Sequence, residues 1–193
     1  MSDFQRDLEA SSSDFLRVVW PAIGPLVGGG EIVPVESVAD KGMATMLDQR
    51  SGIDAWHLSR DKQVRGIASR VQWGSTAWNT FTVRYARHSG ASTEYEKRKN
   101  DIYADAGWLY PHLTVQAYIG GSKAASGDLL SVAVIKTKSL IDACDQVIRG
   151  EVDKRKEGGF RDAGNATFIW LGWAWLQRSG YEIKILERER ATA

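Results

Sequence analysis

The sequence contains 193 residues, of which 43% are hydrophobic and 25% are charged, and its formal net charge is +1. This composition is typical of a folded globular protein and excludes an intrinsically disordered chain. The nearly balanced charge excludes a surface that is basic throughout, so any nucleic-acid-binding surface must be a local patch.

The length predicts a single domain over residues 1–193, with frayed termini at about residues 1–12 and 187–193. Cys144 is the only cysteine, which excludes a disulfide framework within the chain and a zinc site built from several cysteines. The first ten residues have no apolar stretch typical of a signal peptide, and the longest apolar runs are too short to span a bilayer. We therefore expect a cytoplasmic protein without membrane contacts.

The first half of the chain predicts one helix and then mainly strands. Apolar residues at helical spacing predict a helix over residues 14–27, which Pro21 and Pro25 kink and the glycines at 28–30 end. Residues 31–37 alternate as a strand, and Pro34 restricts that strand to a sheet edge. Further strands are predicted from Asp54 to Leu58 and over residues 64–73 and 80–85. These last three strands follow one another closely and favour an antiparallel meander.

The second half predicts alternating helices and strands. Ser92 and Thr93 followed by Glu96 form a capping-box pattern that predicts a helix over residues 94–105. Strands are predicted over residues 113–119, 130–136, 167–170 and 181–186, helices over 140–149 and 173–178, and a charged surface loop over 151–164. The predicted fold class is α+β, with a central mixed β-sheet that contains an antiparallel meander and is flanked by helices.

The segment around Asp54 is the candidate active site. Gly52-Ile53-Asp54 leads into one strand, and a short charged turn over residues 59–63 connects it to the strand over residues 64–73. Because side chains alternate across a strand, Ala68, Arg70 and Gln72 share one face and can converge on Asp54.

This layout resembles the restriction-endonuclease-like PD-(D/E)xK nuclease superfamily over roughly residues 30–140. The superfamily pattern places an Asp on one strand and Glu/Gln-x-Lys on the next, and Gly52-Ile53-Asp54 matches the first half. The second half departs from it. In one alignment, Ala68 and Arg70 occupy the Glu/Gln and Lys positions of the motif, and the metal-binding acid is missing. In an alignment shifted by two residues, Arg70 and Gln72 occupy these positions.

The resemblance implies a metal-dependent endonuclease, specifically a Mg²⁺-dependent deoxyribonuclease, and homodimers are frequent in the superfamily. Asp54 would hold Mg²⁺ or Mn²⁺ together with Asp48 and Glu36, because carboxylate oxygens are suitable ligands for these ions. Arg70 would stabilise the charge that develops on the phosphate, and Gln72 would orient water or ligate the metal. An alternative interpretation of Asp54 and Arg70 remains open: Asp54 caps a turn and forms an ordinary cross-strand ion pair with Arg70.

A cluster of cations predicts contact with nucleic acid, and DNA is the expected partner. Arg84 and Arg87 alternate with the aromatic Tyr85, and Lys97 and Arg98 follow at the start of a helix. Cations interleaved with aromatic rings suit phosphate contacts and base stacking. For the helix, the alternative is a solvated face with Glu94 as one of its ion-pair partners. For the whole chain, the alternative is a catalytically inactive nuclease-fold module that binds nucleic acid or a protein partner.

Overall fold

The structure, a computed structural model, describes residues 10–37, 42, 50–103 and 109–188. The chain is helical from residue 10 to residue 27, which confirms the helix predicted over residues 14–27 and starts it four residues earlier, but the helix is irregular. A π-helical turn at Phe15–Val19 precedes α1 (Trp20–Ile23), and a 3-10 turn at Gly24–Val27 follows. Gly28 then ends the segment with a φ of 103°, a left-handed conformation that glycine adopts without steric cost.

Nine strands within the described residues form two sheets. They are β1 (Gly30–Pro34), β2 (Ala55–Ser59), β3 (Val64–Trp73), β4 (Thr80–Arg87), β5 (Leu113–Ser122), β6 (Ala125–Lys136), β7 (Gly158–Ala163), β8 (Ala166–Gly172) and β9 (Ile183–Glu187). The larger sheet has the order β1-β2-β3-β5-β6-β9, and the smaller sheet has the order β4-β8-β7. In the larger sheet only β3 and β5 pair in parallel, which makes that sheet mixed.

Between these strands, the described residues include the helices α2 (Glu94–Tyr103), α3 (Thr137–Arg149) and α4 (Trp173–Arg178). The predicted capping box is present at the start of α2, where the Thr93 N–H donates to Glu96 Oε2 at 2.8 Å and Thr93 Oγ1 accepts from the Glu96 N–H at 3.3 Å. None of the helices in the described residues has the length and apolar character needed to cross a membrane.

The predicted α+β class is confirmed, with a mixed sheet, an antiparallel meander and flanking helices, but the meander contains different strands. It consists of β1, β2 and β3, with Pro34 on the edge strand as expected. The prediction that β4 extends this meander is wrong, because β4 leaves β3 and pairs with β8 in the smaller sheet. The loop predicted over residues 151–164 contains strand β7. At the termini, residues 10–12 are helical and Glu187 pairs in β9, whereas both were expected to fray.

The larger sheet has a hydrophobic core on each face. On one face, Val115, Ala117 and Ile119 of β5 pack with the buried Val19 and Ile23 of the N-terminal helical segment. On the other face, the core includes buried residues of the larger sheet, the smaller sheet, α3 and α4. The even-numbered residues of β3 point towards this second face. Arg70 and Gln72 therefore project into the space between the two sheets, beyond the edge of that core.

Candidate functional site

A polar cleft of about 520 Å³ opens between the two sheets and α2. Side chains from β3, β4, β5, α2 and the segment before β2 line it. Six of them are cationic and two are carboxylates: Arg50, Arg70, Arg84, Arg87, Lys97 and Arg98, with Asp54 and Glu94. We call this the cationic cleft. It brings together Asp54, Arg70 and the four predicted nucleic-acid-binding residues.

Asp54 lies immediately before β2 and is fixed to β3 by its backbone and its side chain. Its N–H donates to the Ile67 carbonyl at 2.8 Å. Its Oδ2 accepts from the Ser69 N–H at 2.5 Å and from Ser69 Oγ at 3.2 Å. These bonds continue the pairing of β2 with β3 by one residue, so Asp54 has a structural function whatever else it does.

Arg70 shares the cationic cleft with Asp54, as the alternation of β3 predicted, and it reaches across to other elements. Its Nη1 donates to Thr82 Oγ1 of β4 at 3.0 Å, and its Nη2 forms an ion pair with Glu94 Oε2 of α2 at 3.0 Å. The guanidinium thus joins the larger sheet to the smaller sheet and to α2. The sequence interpretation did not include Glu94 as a partner of Arg70.

Glu94 is the carboxylate around which the cations are arranged. Besides Arg70, it pairs with Arg98 Nη1 at 2.7 Å and accepts from the Arg84 backbone N–H at 3.3 Å. Burial raises the pKa of Glu94, but the charges of Arg98 and Arg70 outweigh that effect and hold the pKa below its usual value. Glu94 is therefore ionised at neutral pH.

The predicted nucleic-acid-binding residues differ in how accessible they are. Arg98 is buried and engaged with Glu94, which is the helical i,i+4 pair that the sequence left open as an alternative. Lys97 is half-buried and Arg87 is exposed at the end of β4. The Arg84 guanidinium lies 5.3 Å from the centroid of the Phe168 ring. Burial and the neighbouring Arg70 and Arg87 lower the pKa of Arg84, because each of them disfavours another positive charge.

Gln72 shares a cleft with Arg70 but is separated from Asp54. It lies on the same face of β3 as Arg70 but two residues further on, opposite Tyr118 of β5. There it lines two neighbouring clefts and does not line the cationic cleft. The expectation that Gln72 lies beside Asp54 is thus not met by the geometry.

The sequence analysis also missed Gln116, which forms part of the cleft wall and is only 1% exposed. It stands opposite Arg70 in the parallel pairing of β3 and β5, and its Oε1 accepts from Thr82 Oγ1 at 3.4 Å. Its Nε2 has no hydrogen-bond partner within the described residues. The available signal was an amide in the middle of a strand that the sequence predicts to be buried, since an amide is costly to bury unless it is hydrogen-bonded.

The described residues do not provide a site suited to a divalent metal ion. No group of three or more His, Cys, Asp or Glu side chains within them could hold one. Of the two carboxylates in the cationic cleft, Glu94 has both oxygens engaged by arginines, and Asp54 has Oδ2 engaged by Ser69. Mg²⁺ and Mn²⁺ need several oxygen ligands. Asp48 lies outside the described residues, and for Glu36 the structure describes only the backbone, in a 3-10 turn at Val35–Ser37.

Comparison with known proteins gives little guidance. No protein-family model matches the sequence, and no curated protein matches it. One solved structure, of restriction endonuclease MspI in complex with its cognate DNA, is similar at 10% sequence identity and a TM-score of 0.26. The match covers 62% of this chain and 63% of that chain, so this chain spans less than two thirds of it. A TM-score this low supports no assignment of family or function.

Proposed function

We propose that this protein binds nucleic acid and that phosphate groups of the nucleic acid occupy the cationic cleft. The observation that carries this proposal is the gathering of six cationic side chains from four parts of the chain around one cleft, against two carboxylates. The formal charge of the whole chain is only +1, so this concentration of positive charge is local. Phosphodiester groups are the repeating anions that such an arrangement attracts.

Two arginines of the cleft, Arg70 and Arg84, are held in place before any ligand arrives. Glu94 and Thr82 fix the Arg70 guanidinium, and the face of Phe168 packs against both Arg70 and Arg84 at 5.6 and 5.3 Å. Ordered guanidinium groups lose less side-chain entropy on binding than freely moving ones. A phosphate oxygen would also provide an acceptor for the Gln116 amide after rotation of its terminal torsion.

The test is the salt dependence of binding. A labelled duplex and a labelled single strand are titrated with the protein by fluorescence anisotropy at several salt concentrations. We expect affinity to fall steeply with salt for at least one of them, since each phosphate contact releases roughly one counterion. Absence of binding at low salt, or binding that is independent of salt, would contradict the proposal.

A second candidate is cleavage of DNA by a metal-dependent endonuclease, which the resemblance to the PD-(D/E)xK superfamily implies. Two observations favour it: Asp54 and Arg70 share the cationic cleft, and a meander is followed by a strand parallel to its last member. The metal-ligating side chains within the described residues do not favour this second candidate, because no three of them are grouped. Incubation of linear duplex DNA with the protein, with and without Mg²⁺ or Mn²⁺, separates the candidates. Metal-dependent cleavage that Asp54→Asn abolishes would establish the enzyme, and a homodimer in solution would accord with cutting of both strands.

A further inference from the structure

A second cleft, of about 760 Å³, adjoins the cationic cleft and has a different character. Six aromatic residues line it: Trp78, Tyr118, Phe168, Trp170, Trp173 and Trp175. We call it the aromatic cleft. Its volume lies within the range of about 300–1,000 Å³ that is usual for sites binding small organic groups. Four of the eight tryptophans in the sequence thus surround one space.

The two clefts are continuous through shared side chains. Arg70 and Thr82, which are hydrogen-bonded to each other at 3.0 Å, line both. Phe168 of the aromatic cleft lies under the guanidinium groups of Arg70 and Arg84, which line the cationic cleft. A ligand with an anionic part and a flat apolar part could therefore occupy both clefts at once.

Two features of the aromatic cleft indicate a ligand. Trp78 is 67% exposed, which places a large apolar ring at the entrance in contact with water. Trp173, in the wall, is buried, and its Nε1 has no hydrogen-bond partner within the described residues. Lys156 and Arg161 also line the cleft and add positive charge beside the rings. Flat rings with acceptor atoms, attached to an anionic chain, complement all of these features.

We propose that the aromatic cleft takes unpaired bases of a single-stranded nucleic acid whose phosphates lie in the cationic cleft. This inference rests on the proposed function and specifies its substrate class. Bases in a duplex are paired and stacked inside the helix, whereas an unpaired base is free to stack on an aromatic side chain. The protein accordingly prefers a single strand, or an unpaired region, to a continuous duplex.

The experiment compares three labelled DNA molecules by fluorescence anisotropy: a short oligothymidylate, the same strand with its central bases replaced by abasic sites, and a duplex of equal length. The abasic strand keeps every phosphate and loses only the bases. We expect the intact strand to bind about tenfold or more tightly than the abasic strand, since stacking of one base on an aromatic side chain has an effect of this order. We also expect it to bind more tightly than the duplex.

Variants assign that preference to the aromatic cleft. Trp78→Ala should weaken binding of the intact strand and leave binding of the abasic strand nearly unchanged, because Trp78 lines the aromatic cleft and does not line the cationic cleft. Val64→Ala is the matched control, because Val64 is 59% exposed and lies at the opposite end of β3, outside both clefts. Val64→Ala should change neither the affinity for the intact strand nor the affinity for the abasic strand.

Two results would overturn the inference. One is equal affinity for intact and abasic strands, and the other is a preference for the duplex. In both cases salt-dependent binding through the cationic cleft would remain, so the proposed function would stand without its single-strand preference. Failure of all three DNA molecules to bind at low salt would instead overturn the proposed function itself, and the inference with it.

Discussion

Arg70 and Glu94 form a 3.0 Å ion pair that joins the third strand of the larger sheet to the first turn of α2. The two residues are 24 positions apart, and no short sequence pattern connects them. Their pairing gives the cationic cleft an internal counter-charge, so the arginines are partly neutralised in the free protein. A phosphate that enters the cleft has to compete with this carboxylate.

Removing that counter-charge should therefore have opposite effects on stability and on binding. Glu94→Gln leaves the buried Arg98 without its ionic partner, and we expect the free energy of unfolding to fall by about 3 kcal/mol. The same change makes the cleft more positive, so affinity for DNA and its salt dependence should both rise. Urea unfolding and anisotropy titrations measure the two effects. Glu182→Gln is the control, since its pair with Lys136 is exposed to solvent and should contribute little to stability.

Arg84→Ala tests whether the predicted strand cations contact phosphate. We expect weaker DNA binding and a salt slope smaller by roughly 0.7–0.9, the contribution of about one phosphate contact. The exposed Arg60, in the turn between β2 and β3 at the far end of that hairpin, supplies Arg60→Ala as the control. If both variants kept the slope of the unmodified protein, Arg84 would have only a structural function, in its contact with Phe168.

Asp54→Asn tests the structural function of the leading carboxylate. The charged oxygen that accepts the Ser69 N–H at 2.5 Å is replaced by a neutral amide, and we expect a loss of about 1–3 kcal/mol in the free energy of unfolding. Ser69→Ala removes only the weaker hydroxyl contact at 3.2 Å and should cost less. An Asp54→Asn variant as stable as the unmodified protein would show that this bond contributes nothing measurable, as expected of a carboxylate retained for catalysis.

The loss of stability at acid pH should depend on Asp14, which fixes the N-terminal helical segment to the larger sheet. Burial raises the pKa of Asp14, but hydrogen bonds from Ser126, Trp73 and Arg17 together outweigh it and lower the pKa below 3.8. Because the pKa of Asp14 is lower in the folded state, its stabilisation is complete when the pH is above the pKa of the unfolded state. The stabilisation is lost as the pH falls through the pKa of the folded state. We therefore expect Asp14→Asn to be less stable than the unmodified protein at neutral pH, and the difference to shrink below about pH 4. Urea midpoints measured across this range check the expectation.

The loss of stability at alkaline pH should depend on Tyr95, which connects α2 to α3. Burial raises the pKa of Tyr95 to about 12, and the hydrogen bond that its hydroxyl donates to Asp145 adds to the effect. Because the folded-state pKa exceeds the unfolded value of 10, this contribution is complete below pH 10 and is lost as the pH rises towards 12. Tyr95→Phe should therefore unfold with a weaker pH dependence in this window. Thermal unfolding followed by circular dichroism measures it, and an unchanged dependence would contradict the assignment.

Local signals predicted local structure well. The bounds of β3 follow from its composition, the start of α2 from its capping box, and the shared cleft of Asp54 and Arg70 from strand alternation. The partner of β4 was not predictable, because β-branched and aromatic content indicates a strand but carries no information about which distant strand it pairs with. For the same reason the ion pair of Glu94 with Arg70 and the position of Gln116 beside Arg70 were missed, since only the folded topology brings these residues together.

The outer strands of the larger sheet limit how two copies of this protein could associate. Within the described residues, β1 and β9 lie at the two ends of the sheet, and each is only five residues long. Strand β1 ends in Pro34, which lacks an N–H donor, and β9 carries the charged Lys184 and Glu187. Short, charged or proline-containing edges discourage pairing with a further strand. A homodimer of this protein is therefore not expected to form by pairing two copies of the larger sheet through β1 or β9.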